Sequence, residues 1–295
     1  MSKLSHCPNC NSQSFEPFIN CKDYTVSGEV FSIVNCISCN FKFTNPRPTS
    51  DKIGDYYKSE SYISHSNTSK GLISKLYKTV RNYTLKGKLS LIAKYSQKGS
   101  LLDYGCGTGM FLSAAKSSTW NTYGIEPDSS ARDFAIKENK MTVYPDMETA
   151  NIILKNTQLN CITLWHVLEH VMDLNETIAW FYSKLNKGGA LIIAVPNYTS
   201  YDAKHYKEFW AAYDVPRHLS HFSQATMIDL VQKKGFKFIE SLPMKFDSFY
   251  VSMLSEKYKH GNINYFKAFL TGLKSNLKAK EAKDYSSVIY VFKKA

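Results

Sequence analysis

Three sets of residues in this 295-residue chain have the types and spacing that chemistry needs. The first is His166, Glu169 and His170 in "LWHVLEH", followed far downstream by Arg217, His218 and His221 in "YDVPRHLSHFS". Imidazole titrates near pH 6.5, so these side chains suit proton removal from an acceptor, or metal ligation. The second set is Gly105, Gly107 and Gly109 in "LLDYGCGTGMF", with Asp103 just before and Glu126 further on. Glycines let a backbone turn tightly and approach a ligand closely. The third set is Cys7, Cys10, Cys36 and Cys39, two C-x-x-C pairs with residues 11–35 between them.

The acids decide which ligand suits the glycine loop. The dinucleotide fingerprint is G-x-G-x-x-G, but position 110 is Met, so the pattern is G-x-G-x-G. Asp103 at the mouth of the loop would repel a pyrophosphate and suits a ligand with an ammonium and a sulfonium. Glu126 ends the next strand, where a carboxylate accepts both ribose hydroxyls. An adenosine with a ribose diol and no phosphates, S-adenosylmethionine, satisfies all of these.

The cysteines read as one structural zinc site. Two knuckles of two thiolates complete a tetrahedral four-cysteine set, which leaves no open position for catalysis. "YTVSGEVFSIVNC" between the knuckles reads as a hairpin, as in a zinc ribbon. Small modules need such a staple because they bury little core. Cys21 is spare and reads as a small buried hydrophobe.

These residues need elements to position them. "FTNPRPTSDKIGDYYKSESYISH" is broken by Pro46 and Pro48 and reads as a linker, and 70–98 as a basic helical segment. From Ser100 the texture alternates. "SLLDYG", "TYGIEPD", "MTVYP", "CITLWH" and "GALIIAVP" read as strands, with helical segments after most of them. "SQATMIDLVQKKG" is a further helix, and "FKFIESLP" and "YSSVIYVFKK" are the last strands. Apolar strands alternating with helices mean an α/β doubly wound, mostly parallel sheet with ligands at the carboxyl ends of its strands. Domains follow as a zinc ribbon over 1–45, linker and basic helix over 46–98, and the cofactor-binding domain over 99–295. Residues 247–283 read as an aromatic, basic helical insertion between the last two strands, either walling the acceptor site or forming a dimer surface.

"LLDYGCGTG", "GIEPD" and "ITLWHVLEHVMD", in that order, resemble class I S-adenosylmethionine-dependent methyltransferases. The likeness is greatest to the branch with a leading zinc ribbon and a later signature seen as "FWAAYDVPRHLSHF" (209–222). It implies a Rossmann-like seven-stranded sheet with a final antiparallel strand. It also implies that Asp103, Gly105, Cys106, Gly107 and Gly109 hold the methionine part and Glu126 the ribose. Pro127, Met147 and Glu148 would then lie near the adenine, with Leu164 and Trp165 on the pocket floor.

The histidines keep three readings. His166, at the end of its strand, takes a proton from an acceptor hydroxyl; or Glu169 and His170 are structural; or His166, Glu169 and His170 bind a divalent ion with a later histidine. Related methyltransferases with E-x-x-E-H at this place use such a metal, but this chain has His for the first Glu, a softer ligand. A zinc-peptidase reading of H-x-x-E-H fails because it needs both histidines on one helix. His218 or His221 is expected to contact the acceptor or take part in base chemistry, beside the aromatic walls of Trp210, Tyr213 and Phe222. Tyr57 and Tyr62 are candidates for a lid.

Bulk properties bound the class. Hydrophobic content of 43% supplies a core and argues against disorder. The longest clean apolar run, Ala190–Pro196, is too short to span a bilayer, and "MSKLSHCPNC" has no apolar signal region, so a cytoplasmic protein is expected. Formal charge is +12, with no acid between Glu60 and Asp103 and none from Lys257 to Lys280. Such stretches attract anions without naming one. The expected activity is methyl transfer to an oxygen of a small molecule, sugar or glycan precursor. The alternative is an RNA methyltransferase gripping nucleic acid through the ribbon and basic stretches. Against it, "LWHVLEH" lacks the Asn/Asp-Pro-Pro-aromatic motif of enzymes that methylate base amines. A non-catalytic module that senses the cofactor is a third reading. Oligomeric state is left open.

Overall fold

The computed structural model describes residues 1–58 and 72–295, apart from the side chains of 72–79. Tyr62 and the lysines at 70, 75 and 78 therefore lie outside the described residues or side chains. The chain opens with β1 (Phe15–Lys22), β2 (Val30–Cys36) and β3 (Lys42–Thr44), an antiparallel meander. The hairpin expected over Tyr24–Cys36 has its second strand there, but its first strand lies earlier, in β1. Asp23 sets the connecting turn: its carboxylate accepts the backbone N–H groups of Thr25, Val26 and Ser27.

A long helix, α1 (Leu72–Tyr95), leads into β4 (Ser100–Tyr104), α2 (Met110–Ser117), β5 (Asn121–Ile125), α3 (Ser129–Lys137), β6 (Thr142–Tyr144), α4 (Met147–Ile153) and β7 (Leu159–Trp165). Then come α5 (Leu174–Lys184), β8 (Leu185–Pro196), α6 (Tyr201–Tyr206), β9 (Ser220–His221), α7 (Gln224–Gln232) and β10 (Phe236–Pro243). The chain closes with α8 (Asp247–His260), α9 (Tyr265–Ala282) and β11 (Ser287–Lys294). Asp128, Asp146 and Ser223 start α3, α4 and α7 by accepting a backbone N–H with the side chain. Gly272 lets α8 and α9 pack closely, since a Cβ there would lie 2.8 Å from Phe249.

The main sheet has seven strands in the order β10-β11-β8-β7-β4-β5-β6. All its pairings are parallel except those of β11, which runs antiparallel to both β8 and β10. This is the Rossmann-like doubly wound architecture. Its centre is apolar on both faces, as a covered parallel sheet requires: Leu191, Ile192, Ile193 and Val195 of β8 have no exposed surface. Each such side chain contributes about 1.5–3 kcal/mol by leaving water. No helix among the described residues is long and apolar enough to cross a membrane.

The amino-terminal strands join this body directly. β9, from the loop after β8, adds to β3 as the fourth strand of the small sheet. Cys7, Cys36, Phe41 and Phe43 share one buried cluster with Leu102, Leu164 and Leu230 of the large domain.

Candidate active site

The carboxyl ends of β4, β5 and β7 meet at one crevice. The loop after β4 places Gly105, Gly107 and Gly109 at φ +73°, +53° and +76°, in the left-handed region that favours glycine. A Cβ on Gly105 would come within 2.5 Å of Val167, so the loop packs against the segment that carries His166. Cys106 is buried in a small cluster with Leu112, Ala135, Met141 and Val143. Glu126, at the end of β5, accepts the Gly107 N–H at 2.7 Å with one oxygen and the Asp128 N–H at 2.9 Å with the other. Burial raises its pKa against those bonds. Each oxygen keeps a lone pair, which is what a ribose diol needs. Arg132 fixes the adjoining turn by donating to the carbonyls of Glu126 and Pro127. Met147 begins α4 half-buried, and Glu148 beside it is exposed.

Asp103 is 3% exposed and accepts a 2.6 Å bond from the Thr163 hydroxyl. Burial raises its pKa to about 7, against the Thr163 bond and the charge of Lys88. Leu164 is fully buried within β7. Trp165 ends that strand edge-on to Phe111, and its buried indole N–H has no hydrogen-bond partner among the described residues. Lys88, from α1, lies 4.3 Å from the Trp165 ring centre and feels both Asp103 and Asp247. By sequence Lys88 is one base among several in the helical segment over 70–98; only its tertiary neighbours distinguish it.

His166 follows β7 with φ +59°, an uncommon conformation for a non-glycine residue. Its Nε2 lies 2.9 Å from Asp247 and its Nδ1 3.5 Å from Glu169. Burial disfavours the charged ring, but Asp247 and Glu169 outweigh it and raise the pKa to about 10. Asp247 begins α8 and was not singled out from sequence, since nothing local links it to His166.

Beyond His166 lies a second group. Glu169, His170 and His218 each place a ligand atom within 4.8 Å of the others. Glu169 is 1% exposed, and neither of its oxygens has a hydrogen-bond partner among the described residues. Both rings are oriented by backbone carbonyls, which can only accept. His170 Nδ1 lies 3.0 Å from the Arg217 carbonyl and His218 Nδ1 2.9 Å from that of Ala212. That leaves each Nε2 as the lone-pair nitrogen, the arrangement in which protein histidines ligate metals. Tyr57 also reaches His170 Nδ1, at 2.9 Å. Burial and the neighbouring His170 lower the pKa of His218 to about 4.

His221 lies elsewhere. It sits in β9 with its ring against Tyr213, and its Nε2 is 3.1 Å from the Thr44 hydroxyl. Thr44 gives its own proton to the His218 carbonyl, so His221 is the donor. It thus joins the loop to the amino-terminal sheet. Arg217 makes the same connection with charge: it donates to Asp214, to Asp23 and to the Tyr56 carbonyl. Trp210 and Phe222 are buried in packed clusters, and Trp210 donates to Asp202.

The four amino-terminal cysteines form a second potential ligand set. Cys7 and Cys39 sulfurs are 3.7 Å apart and those of Cys10 and Cys36 3.6 Å, far beyond a disulfide bond. All four lie within 4.8 Å of one another. Tetrahedral zinc–thiolate bonds of about 2.3 Å place sulfurs roughly 3.8 Å apart, so the set fits that ion.

A parallel sheet with a glycine turn after its first strand, an acid ending the second and a ligand crevice between them is the nucleoside-binding class of α/β fold. Within that class the chain belongs to the methyltransferase-domain family, whose model matches residues 77–241, from α1 into β10. It is an S-adenosylmethionine-dependent methyltransferase enzyme. Two solved structures illustrate the fold. Magnesium protoporphyrin IX methyltransferase from Synechocystis, with bound S-adenosylhomocysteine, is 13% identical with a TM-score of 0.53, over 84% of this chain and 100% of the other. Phosphoethanolamine N-methyltransferase 2 from Haemonchus contortus, with S-adenosylmethionine, is 15% identical with a TM-score of 0.52, over 86% and 61% respectively. At these identities the likeness is one of fold. No curated protein sequence matches the chain significantly.

Proposed function

We propose that this enzyme transfers the methyl group of S-adenosylmethionine to a hydroxyl of a small molecule, sugar or glycan precursor. The observation that carries this reading is His166: a strained, partly exposed imidazole at the carboxyl end of β7, beside the glycine loop and held by two carboxylates. In this reading Asp103 and the loop from Gly105 to Gly109, including Cys106, hold the methionine part of the cofactor. Lys88 faces its carboxylate, Glu126 takes the ribose, Pro127 and Met147 border the adenine, and Leu164 and Trp165 form the floor. The acceptor oxygen attacks the sulfonium methyl in line. Most of the rate comes from positioning, for which a near-attack pose supplies about 7–11 kcal/mol. As the new ether forms, its hydroxyl proton must leave. His166 carries its proton already, so its Nε2 proton must first pass to the Asp247 carboxylate, which releases it to water; the freed Nε2 then accepts the acceptor's hydroxyl proton as the C–O bond forms and the S–CH3 bond breaks. His218 and His221 act from outside, His218 by facing Glu169 and His221 by fixing the loop.

The buried Glu169 carboxylate, whose contact with His166 is a long 3.5 Å one, favours one addition. A divalent cation fits Glu169, His170 and His218, and when bound it would polarise an acceptor oxygen. Zinc on Cys7, Cys10, Cys36 and Cys39 would be structural. The domain layout supported by these sites is a ribbon over 1–45, a linker and helix over 46–98 and the catalytic domain over 99–295.

The test is to incubate the protein with methyl-labelled S-adenosylmethionine and fractionated cell extract, with or without ribonuclease. Label in a small-molecule or glycan fraction, indifferent to ribonuclease, is expected. Label lost on ribonuclease treatment would move the acceptor to RNA.

A further inference from the structure

The two helices between β10 and β11 contain a surface that the reaction does not use. α9 is turned inside out relative to an ordinary surface helix. The face it packs against the body is made of small residues: Ala268, Thr271, Gly272, Ser275 and Ala279 are its buried positions. Two of these contacts are polar, since Ser275 donates to the buried Asp202 and the Gly272 carbonyl accepts from Ser248. The opposite face holds the large apolar side chains. Phe266 is 72% exposed, and Phe269, Leu270, Leu273 and Leu277 are exposed with it. The spacing 266, 269, 270, 273 and 277 keeps these five on one stripe through three turns.

A second row runs beside the stripe. Lys267, Lys274 and Lys278 share one edge of the helix, and Lys274 and Lys278 both lie over the Tyr201 ring, at 5.2 and 4.8 Å. Lys257 and Lys259 end α8. No acid lies between Lys257 and Lys280; Glu281, near the end of α9, is the single acid of that helix against four lysines. The apolar stripe is absent from the buried core clusters, and Asp247, the α8 residue beside His166, lies at the opposite end of α8 from Lys257 and Lys259.

We propose that the outer face of α9 docks the enzyme onto an anionic lipid bilayer surface. The chemistry of the two rows chooses this occupant. Phenylalanine and leucine side chains enter the boundary between headgroups and acyl chains, while flanking lysines reach the lipid phosphates. A second copy of this chain paired antiparallel across the stripe would bring two lysine rows together, which an anionic surface would instead neutralise. A water-filled surrounding leaves five large apolar side chains hydrated along one stripe, an arrangement that marks interaction sites.

The test uses the full chain and co-sedimentation with two kinds of vesicle: phosphatidylcholine alone, and phosphatidylcholine mixed equally with phosphatidylglycerol. Binding to the mixed vesicles is expected, at least about tenfold stronger than to the neutral ones and weakened by added salt. The Phe266→Ser/Leu277→Ser variant should lose this binding while keeping the far-ultraviolet spectrum and affinity for S-adenosylmethionine, because Phe266 and Leu277 are 72% and 53% exposed. The Lys274→Glu/Lys278→Glu variant should lose it as well, without touching the stripe. No binding to the mixed vesicles, or equal binding to both kinds, would overturn the proposal. So would a concentration-dependent dimer in sedimentation velocity that the Phe266→Ser/Leu277→Ser change abolishes, which would give the face to a second copy.

Discussion

Asp103 is held in its charged form by little more than the Thr163 hydroxyl and the nearby Lys88. Burial raises its pKa to about 7, so near neutral pH the carboxyl is half ionised. A cationic cofactor favours the ionised form. Affinity for S-adenosylmethionine should therefore rise about tenfold from pH 6 to pH 8, by calorimetry, and Asp103→Asn should flatten the profile. A flat profile for the natural protein would remove Asp103 from the cofactor's contacts. For folding the sign is the reverse: a carboxyl with a raised pKa costs stability as pH climbs from about 4 toward about 7. His166 behaves in the complementary way. Its pKa of about 10 comes against burial and from Asp247 and Glu169. The stabilisation it brings is full below about pH 6.5 and is lost as pH rises through about 10. His166→Ala should lower turnover by about 10²-fold and leave cofactor affinity nearly intact; turnover at the natural rate would dismiss the ring as a proton sink.

Elements matter because the groups at this site come from distant parts of the chain. Arg217 is the clearest junction: it is 1% exposed and links Asp214 in its own loop to Asp23 in the β1–β2 turn. Arg217→Met would leave Asp23, which is fully buried, without its counter-charge. A loss of about 3–5 kcal/mol in denaturant unfolding is expected, with much less for Arg217→Met in an Asp23→Asn/Asp214→Asn background. The strands were legible in sequence because their apolar runs and turn residues are local signals. The glycine loop was legible because Gly105, Gly107 and Gly109 fall between a strand and a helix, and the structure places all three at positive φ. Other features had no local signature. β9 is two residues long, and its pairing with β3 spans most of the chain. Asp247 opens a helix by composition, and only the packing of α8 against the crevice brings it to His166. The short α4, capped by Asp146, lies where the pattern of Met147 and its neighbours was weakest.

At the scale of the whole molecule, the amino-terminal strands and the Rossmann-like domain share a sheet, a core cluster and an ion pair. If zinc sits on the cysteine set as proposed, its removal should therefore act beyond the amino-terminal strands. Prolonged chelation is expected to lower the melting temperature of the single unfolding transition and to weaken cofactor binding, with both restored by added zinc. Chelation that strips zinc yet leaves melting and cofactor affinity unchanged would mean that the amino-terminal strands are energetically separate. The central claim concerns the atom that receives the methyl group. It is tested most directly with S-adenosylmethionine carrying a carbon-13 methyl, incubated with the acceptor fraction and read by carbon NMR. A methoxy resonance in a small molecule or glycan, produced by the natural protein and reduced by His166→Ala, is the predicted result. A methylamine, thioether or carbon-bound methyl resonance would contradict it.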